Sequence, residues 1–327
     1  MQYVAGVTTS RVLLSGATGF VGSHIYPVLV AAGHEVLCGT RDPVAAKRQD
    51  PRREYCVLEL DDAASVARAL ARVYRAIYLV HSMTDHAAYG AAEAKDAAIF
   101  RTAAETRGLE RIVYLGGMRP SGKVSKHLAS RLHTGETLRG GSVPVVELQA
   151  TMILGGGSES FRIVRDLATR LPWMLFPSWL ASESEPVAIA DIAAAVVHAL
   201  SMPLPESRVL AVPGAERLSG RDIIMRTARL VGHDPRVANV PFVSPKLSSY
   251  WIRLVTRANP QIATELVEGM RSDIVAAGPQ IWDDMPGHRR LPFDEAVRAA
   301  LAEEAHSVRP AGRWFERLTH RLARESA

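Results

Sequence analysis

The feature that most constrains the fold is a run of glycines at the junction of an apolar strand and an apolar helix. Residues 11–15, Arg-Val-Leu-Leu-Ser, pass directly into Gly16-Ala17-Thr18-Gly19-Phe20-Val21-Gly22, after which Val21, Ile25, Val28 and Leu29 recur at helical spacing. Such a turn aims the free N–H groups of the helix's first residues, and the positive end of its dipole, into the turn itself. In this position Gly16 permits a tight bend, Gly19 lets the backbone approach a pyrophosphate, and Gly22 allows helix and strand to touch. Thr18, Phe20 and Val21 complete the expected phosphate cradle. The spacing is G-x-x-G-x-x-G rather than G-x-G-x-x-G, so the strand before, the helix after and a second strand at the right distance carry the argument.

That second strand belongs to a longer rhythm. Residues 11–16, 35–40, 55–60, 76–82, 111–117 and 143–150 read as strands separated by helical patterns, the alternation of βαβ units. Their nearly continuous apolar character suits strands covered by helices on both faces. The expected fold class is therefore α/β, a Rossmann doubly wound parallel sheet, with residues 9–150 as the dinucleotide-binding core. Prolines punctuate the chain beyond residue 151, where helices at 188–200, 218–231 (opened by Ser219) and 261–275, a strand at 207–213 and a turn at 241–245 are expected. Residues 151–306 read as a smaller substrate-side region interleaved with the core.

At the end of the second strand, where an acidic side chain would accept a ribose 2′-hydroxyl, the order is Thr40-Arg41-Asp42-Pro43. A guanidinium at Arg41 would pair with the 2′-phosphate of NADP(H), whereas Asp42 would serve the free hydroxyl of NAD(H); the charge argument favours NADP(H), with NAD(H) as the alternative. Asp61 and Asp62, just past the third strand, are placed to reach an adenine amino group, or to cap the following helix. His81 and Ser82, at the end of the fourth strand, fall on the carboxyl edge near the expected nicotinamide ribose. A packed, internally satisfied imidazole is the other reading of His81.

SGATGFVGSH at residues 15–24, YLVHSM at 78–83, RIVYLGGM at 111–118, HLASRLHTGE at 127–136 and PKLSSYWIRLVT at 245–256 make the chain resemble the atypical and extended short-chain dehydrogenase/reductases, more closely a bacterial NAD(P)H-binding group related to the NmrA-like branch. The resemblance implies an active site built after the fifth strand, where familiar members carry Tyr-x-x-x-Lys. Here that helix carries His127 and Arg131, four residues apart and on one face. The resemblance implies that Arg131 positions ribose and His127 serves as proton donor, with Ser130 as a reserve hydroxyl. The opposing reading is a solvated polar face on a helix whose apolar stripe is Val124, Leu128 and Leu132. Tyr250 and Trp251 read as a wall of the substrate pocket or as helix packing, Tyr250 being an alternative acid.

The 327 residues, 47% hydrophobic, are enough for a sizeable core. The net charge of +5 suits an anionic ligand, but Lys and Arg are dispersed, so nucleic acid is not an expected partner. Cys38 and Cys56 lie in strand-like stretches, as small hydrophobes in a reducing cytoplasm. Neither a signal-like start, a membrane-length apolar run, a metal-ligand spacing nor a nucleophile elbow is read in the sequence. Residues 307–327 read as a basic amphipathic helix, Trp314, Phe315, Leu318 and Leu322 lying near one face, suited to docking on protein or to peripheral contact with an anionic membrane. No pattern singles out an oligomeric state.

The function expected is an NADP(H)-dependent oxidoreductase passing hydride to or from a small, largely apolar carbonyl or conjugated substrate, with secondary metabolism as one setting. The alternative is a non-catalytic NADP(H) sensor of the NmrA-like kind. A sugar-nucleotide epimerase is disfavoured by the missing Tyr and Lys.

Overall fold

A computed structural model describes residues 10–80, 89–170, 173–240 and 272–307. The central sheet contains β1 (Arg11–Ser15), β2 (Glu35–Thr40), β3 (Glu54–Val57), β4 (Arg75–Tyr78), β5 (Arg111–Gly117), β6 (Val145–Ala150) and, after four short strands, β11 (Arg208–Ala211). Those four are β7 (Ile153–Leu154), β8 (Trp173–Pro177), β9 (Glu183–Ser184) and β10 (Val187–Ala188); β12 (Leu218–Ser219) and β13 (Arg236–Val240) follow. The helices are α1 (Phe20–Ala31), α2 (Pro43–Gln49), α3 (Ala63–Leu70), α4 (Tyr89–Arg107), α5 (Lys126–Arg139), α6 (Glu159–Arg170), α7 (Ile189–Ser201), α8 (Gly220–Leu230) and α9 (Phe293–Ser307).

The seven-stranded sheet runs in the order β3-β2-β1-β4-β5-β6-β11, every pair parallel. Because β-strand side chains alternate, Val12 and Leu14 of β1 face one core with Ile25 and Leu29 of α1 and Ile192 and Val196 of α7, while Leu13 faces another with Val66 and Leu70 of α3 and Phe100 of α4. The sheet is thereby covered on both sides, which is why its strands read as unbroken apolar runs. A third core joins Phe161 and Val164 of α6, Ile223 and Ile224 of α8, and Phe293 and Val297 of α9 beside the carboxyl half of the sheet. The expected α/β doubly wound fold is what the chain adopts.

Strand order reverses between β1 and β4, the switch point at which open α/β sheets bind ligands. Ser15 holds that point together: its fully buried hydroxyl donates to Ile77 O at 2.9 Å and accepts from Leu79 N–H at 3.0 Å. At the opposite edge, Arg75 and Arg111 donate to the carbonyls of Leu200, Ala199 and Met202, so two cations seat the carboxyl end of α7. The amino end of α7 is fixed by fully buried Asp191, which accepts from Leu291 N–H and contacts His288 Nε2 at 2.8 Å. Trp282 stacks on that imidazole and donates to Pro213 O.

Boundaries move where local chemistry demands it. β4 ends at Tyr78 rather than Ser82, because Leu79 N–H is taken by Ser15, and β6 starts at Val145, after Pro144. Ser219 does open α8, accepting from Asp222 N–H at 3.1 Å. The expected helix at 261–275 is corrected over its last four residues: Ile274 is extended and bridges to Ser184, and its N–H is bound by Glu183 O. Residues 261–271, the turn at 241–245, Tyr250, Trp251 and the stretch 308–327 lie outside the described residues. Among the described residues no helix is long and apolar enough to cross a membrane. Cys38 in β2 and Cys56 in β3 are free, and burial pushes their thiols up to about 12 and about 11. Ser15→Ala leaves Leu79 N–H without its acceptor and is expected to lower stability by about 1–3 kcal/mol in urea unfolding, with little change in slope.

Candidate cofactor and catalytic site

The glycine loop has the geometry its spacing requires. Gly16 takes a φ of +67°, in the region that penalises any side chain, and a Cβ there would also crowd Leu79, just past β4. Gly19 N–H returns to Gly16 O at 3.0 Å, closing the turn. A Cβ on Gly22 would stand 2.3 Å from Gly16 O and 2.8 Å from Ala17 Cα, so only glycine lets α1 lie against the turn. Gly19 and Thr18 are exposed at the rim, and Phe20 and Val21 begin α1. No side chain caps that helix and no acidic residue lies in its first turn, so its positive end is kept for an anion. Phe20 packs beneath Gly155 and Gly157, which brings the chain after β7 against the glycine loop.

Beyond β2 the two rival side chains part ways. Asp42 is the N-cap of α2, accepting from Ala45 N–H at 2.9 Å, with Pro43 at the first helical position. Arg41 is exposed and forms no ion pair among the described residues. Arg53 adds a second guanidinium, donating to Ala17 O at 3.2 Å and lying 4.2 Å over the Tyr26 ring. The pair at the end of β3 divides likewise. Asp62 caps α3 through Ala64 N–H at 2.8 Å, the capping role, while Asp61 stays exposed at the carboxyl edge.

A polar cluster forms where α5 passes the end of β5. Ser125 caps α5, so Val124 precedes the helix and the expected apolar stripe is corrected: Leu132 and Leu138 are buried, with Leu128 half-buried. His127 and Arg131 are both half-buried. Arg131 donates to Leu115 O at 3.4 Å, and a Cβ on Gly117 would lie 3.6 Å from its Nη1, so the guanidinium reaches the carboxyl end of β5. Tyr114, from the same strand, donates to Arg131 O at 2.7 Å.

Burial holds the His127 imidazole below its ordinary range, the Arg131 charge pushes it further down, and Glu93 acts in the opposite direction. Ser130 is buried between them and donates to Glu93 Oε2 at 2.5 Å. Glu93, on α4, carried no sequence signal, because Glu93-Ala94-Lys95-Asp96 looks like any solvated helical turn. Nearby, Glu147 of β6 is buried and pairs with Arg139 and Gln149, fastening α5 to the sheet. Among the described residues no group of three His, Cys, Asp or Glu is placed to hold a metal. His81 and Ser82, like Tyr250, fall outside the described residues.

Residues 16–139 match a family model described as NAD(P)H-binding, a span that starts at the first loop glycine and closes at the end of α5. A comparison with curated protein sequences finds no match. Solved structures share the fold over nearly the whole chain. UDP-glucose 4-epimerase of Thermus thermophilus, in complex with NAD, is 17% identical with a TM-score of 0.64, covering 91% of this chain and 100% of that one. UDP-glucose 4-epimerase of Thermotoga maritima, with UDP-glucose, is 11% identical with a TM-score of 0.69, at 91% and 100% coverage. Triphenylmethane reductase of Citrobacter sp. is 15% identical with a TM-score of 0.69, covering 89% and 99%.

Residues 16–139, on a Rossmann-type sheet, are thus similar to NAD(P)H-binding proteins, which supports pyridine-nucleotide binding there. Gly22→Ala, which drives a methyl group into Gly16 O, is expected to weaken NADPH binding at least about tenfold in a fluorescence titration, as the closed turn opens. Asp42→Ala, by contrast, is expected to cost about 1 kcal/mol of stability through the lost cap while leaving NADPH affinity within about twofold.

Proposed function

We propose that the chain is an NADP(H)-dependent oxidoreductase acting on a small, largely apolar carbonyl or conjugated compound. The observation that carries the cofactor choice is the division of labour after β2: Asp42 is engaged at the α2 N-terminus, while Arg41 is exposed and without a carboxylate partner among the described residues. A guanidinium so placed can form a charge-assisted bond to a 2′-phosphate.

When bound, the dinucleotide supplies or accepts hydride. Gly16, Gly19 and Gly22 would hold its pyrophosphate, Asp61 would serve its adenine amino group, and Arg131 would orient the nicotinamide ribose. His127 protonates the substrate oxygen as hydride arrives at carbon, or removes that proton in the reverse direction. An imidazole held below its ordinary range is neutral near pH 7. Oxidation therefore finds its base ready, whereas reduction, which needs the imidazolium, falls as pH rises through a midpoint below the ordinary imidazole range.

The fold is shared by epimerases and by a dye reductase. The resemblance read in the sequence would put His127 and Arg131 in place of the Tyr and Lys that epimerases need, which favours the reductase side. The same substitution supports a second reading, an NADP(H) sensor of the NmrA-like kind that binds cofactor without turnover.

NADPH oxidation against a panel of ketones, enones and quinones separates the two readings. Turnover of at least one class is expected, and NADPH binding with none establishes the sensor. Arg41→Ala is expected to weaken NADPH about tenfold or more while sparing NADH. His127→Ala is expected to lower kcat about a hundredfold with NADPH affinity unchanged; unaltered turnover in that variant removes His127 from the chemistry.

A further inference from the structure

We propose that Glu93 is the positioning carboxylate of this site: from α4 it accepts the hydrogen bond of Ser130 and sets a negative charge against the α5 face that carries His127 and Arg131. The inference rests on the oxidoreductase reading and adds to it a residue from a different helix.

A carboxylate only 5% exposed is costly unless hydrogen bonds and a nearby cation compensate it. Glu93 has the Ser130 hydroxyl at 2.5 Å, and Ser130 is itself 7% exposed. The backbone is built for this contact: a Cβ on Gly90, one turn before Glu93, would lie 3.7 Å from Ser130 Oγ, so α4 and α5 approach closely at their amino-terminal turns. Ser130 stands between His127 and Arg131 in the spacing i, i+3, i+4, which places all three on neighbouring positions of one helix.

Among the described residues, the charged groups acting on His127 are Arg131 on its own helix and Glu93 on α4. Burial and the guanidinium both favour the neutral imidazole, and the carboxylate across the helix pair opposes them in part, keeping the protonated form within closer reach. The Ser130 hydroxyl tethers that carboxylate while staying out of the proton transfer, being too buried to meet substrate. The proton itself moves between His127 and the substrate oxygen.

The test is the titration of His127 in isotopically labelled protein, its imidazole signal assigned by loss in His127→Gln. Glu93→Gln keeps the side-chain shape and an acceptor for Ser130 but removes the charge. It is expected to move the His127 midpoint downward, and to move the pH profile of kcat for reduction the same way, with KM for NADPH unchanged. Each unit of movement is about tenfold in the protonated fraction at neutral pH.

Should the amide variant fail to fold, Glu93→Asp keeps the charge one methylene further away and is expected to move the midpoint in the same direction by less. A midpoint that stays put in a folded variant overturns the proposal, Glu93 then being a packing residue. The NMR midpoint moves or not whether or not any substrate is turned over. A wild type without turnover therefore defeats the oxidoreductase reading alone, and an unmoved midpoint in an active enzyme defeats the Glu93 proposal alone.

Discussion

Everything functional in this molecule is hung from the contact between the first turn of α1 and the end of β1. With Gly16 at positive φ and Gly22 packed against Gly16 O, the helix starts almost on top of the strand, and its unneutralised amino end is held at the switch point of the sheet. A methyl group at Gly22 would force helix and strand apart. Ser15, bonded to both Ile77 and Leu79, prevents β1 and β4 from separating at the same place. A rigid floor of this kind lets a dinucleotide be bound largely by backbone, without cationic side chains crowding the pyrophosphate.

Around that floor, charged side chains are sorted by what the helix ends require. Asp42, Asp62, Ser125 and Ser219 are each held by a backbone N–H at a helix start, and Arg75 and Arg111 by carbonyls at a helix finish. The groups left over are Arg41 and Asp61 at the carboxyl edge of the sheet. Capping thus engages Asp42 at the start of α2 and leaves Arg41 as the exposed charge after β2.

The α4–α5 pair obeys a different constraint. Both helices lie over the β5 side of the sheet, and the groups between them are buried enough for charge to be felt across helices. Glu93, Ser130, His127 and Arg131 form one electrostatic unit there. Glu147 and Arg139 form a second unit further along α5, anchored to β6, and that anchor keeps the amino-terminal half of α5 where it can face the cofactor edge.

The sequence by itself determined the parallel α/β fold, the glycine cradle and the place of its helix, because hydrophobic periodicity and the glycine spacing act locally, over a strand and the turn that follows it. That Asp42 and Asp62 cap helices was settled by tertiary geometry, a matter of where one carboxylate oxygen meets one N–H. The extent of the apolar face of α5 likewise depended on where Ser125 starts the helix, and the extended chain at Ile274 on a bridge to Ser184, a partner 90 residues away. Glu93 was the furthest from view. Its sequence neighbours are those of an ordinary exposed turn, and only the packing of α4 on α5, which removes water and brings a hydroxyl to its carboxylate, turns it from a solvated charge into part of a site.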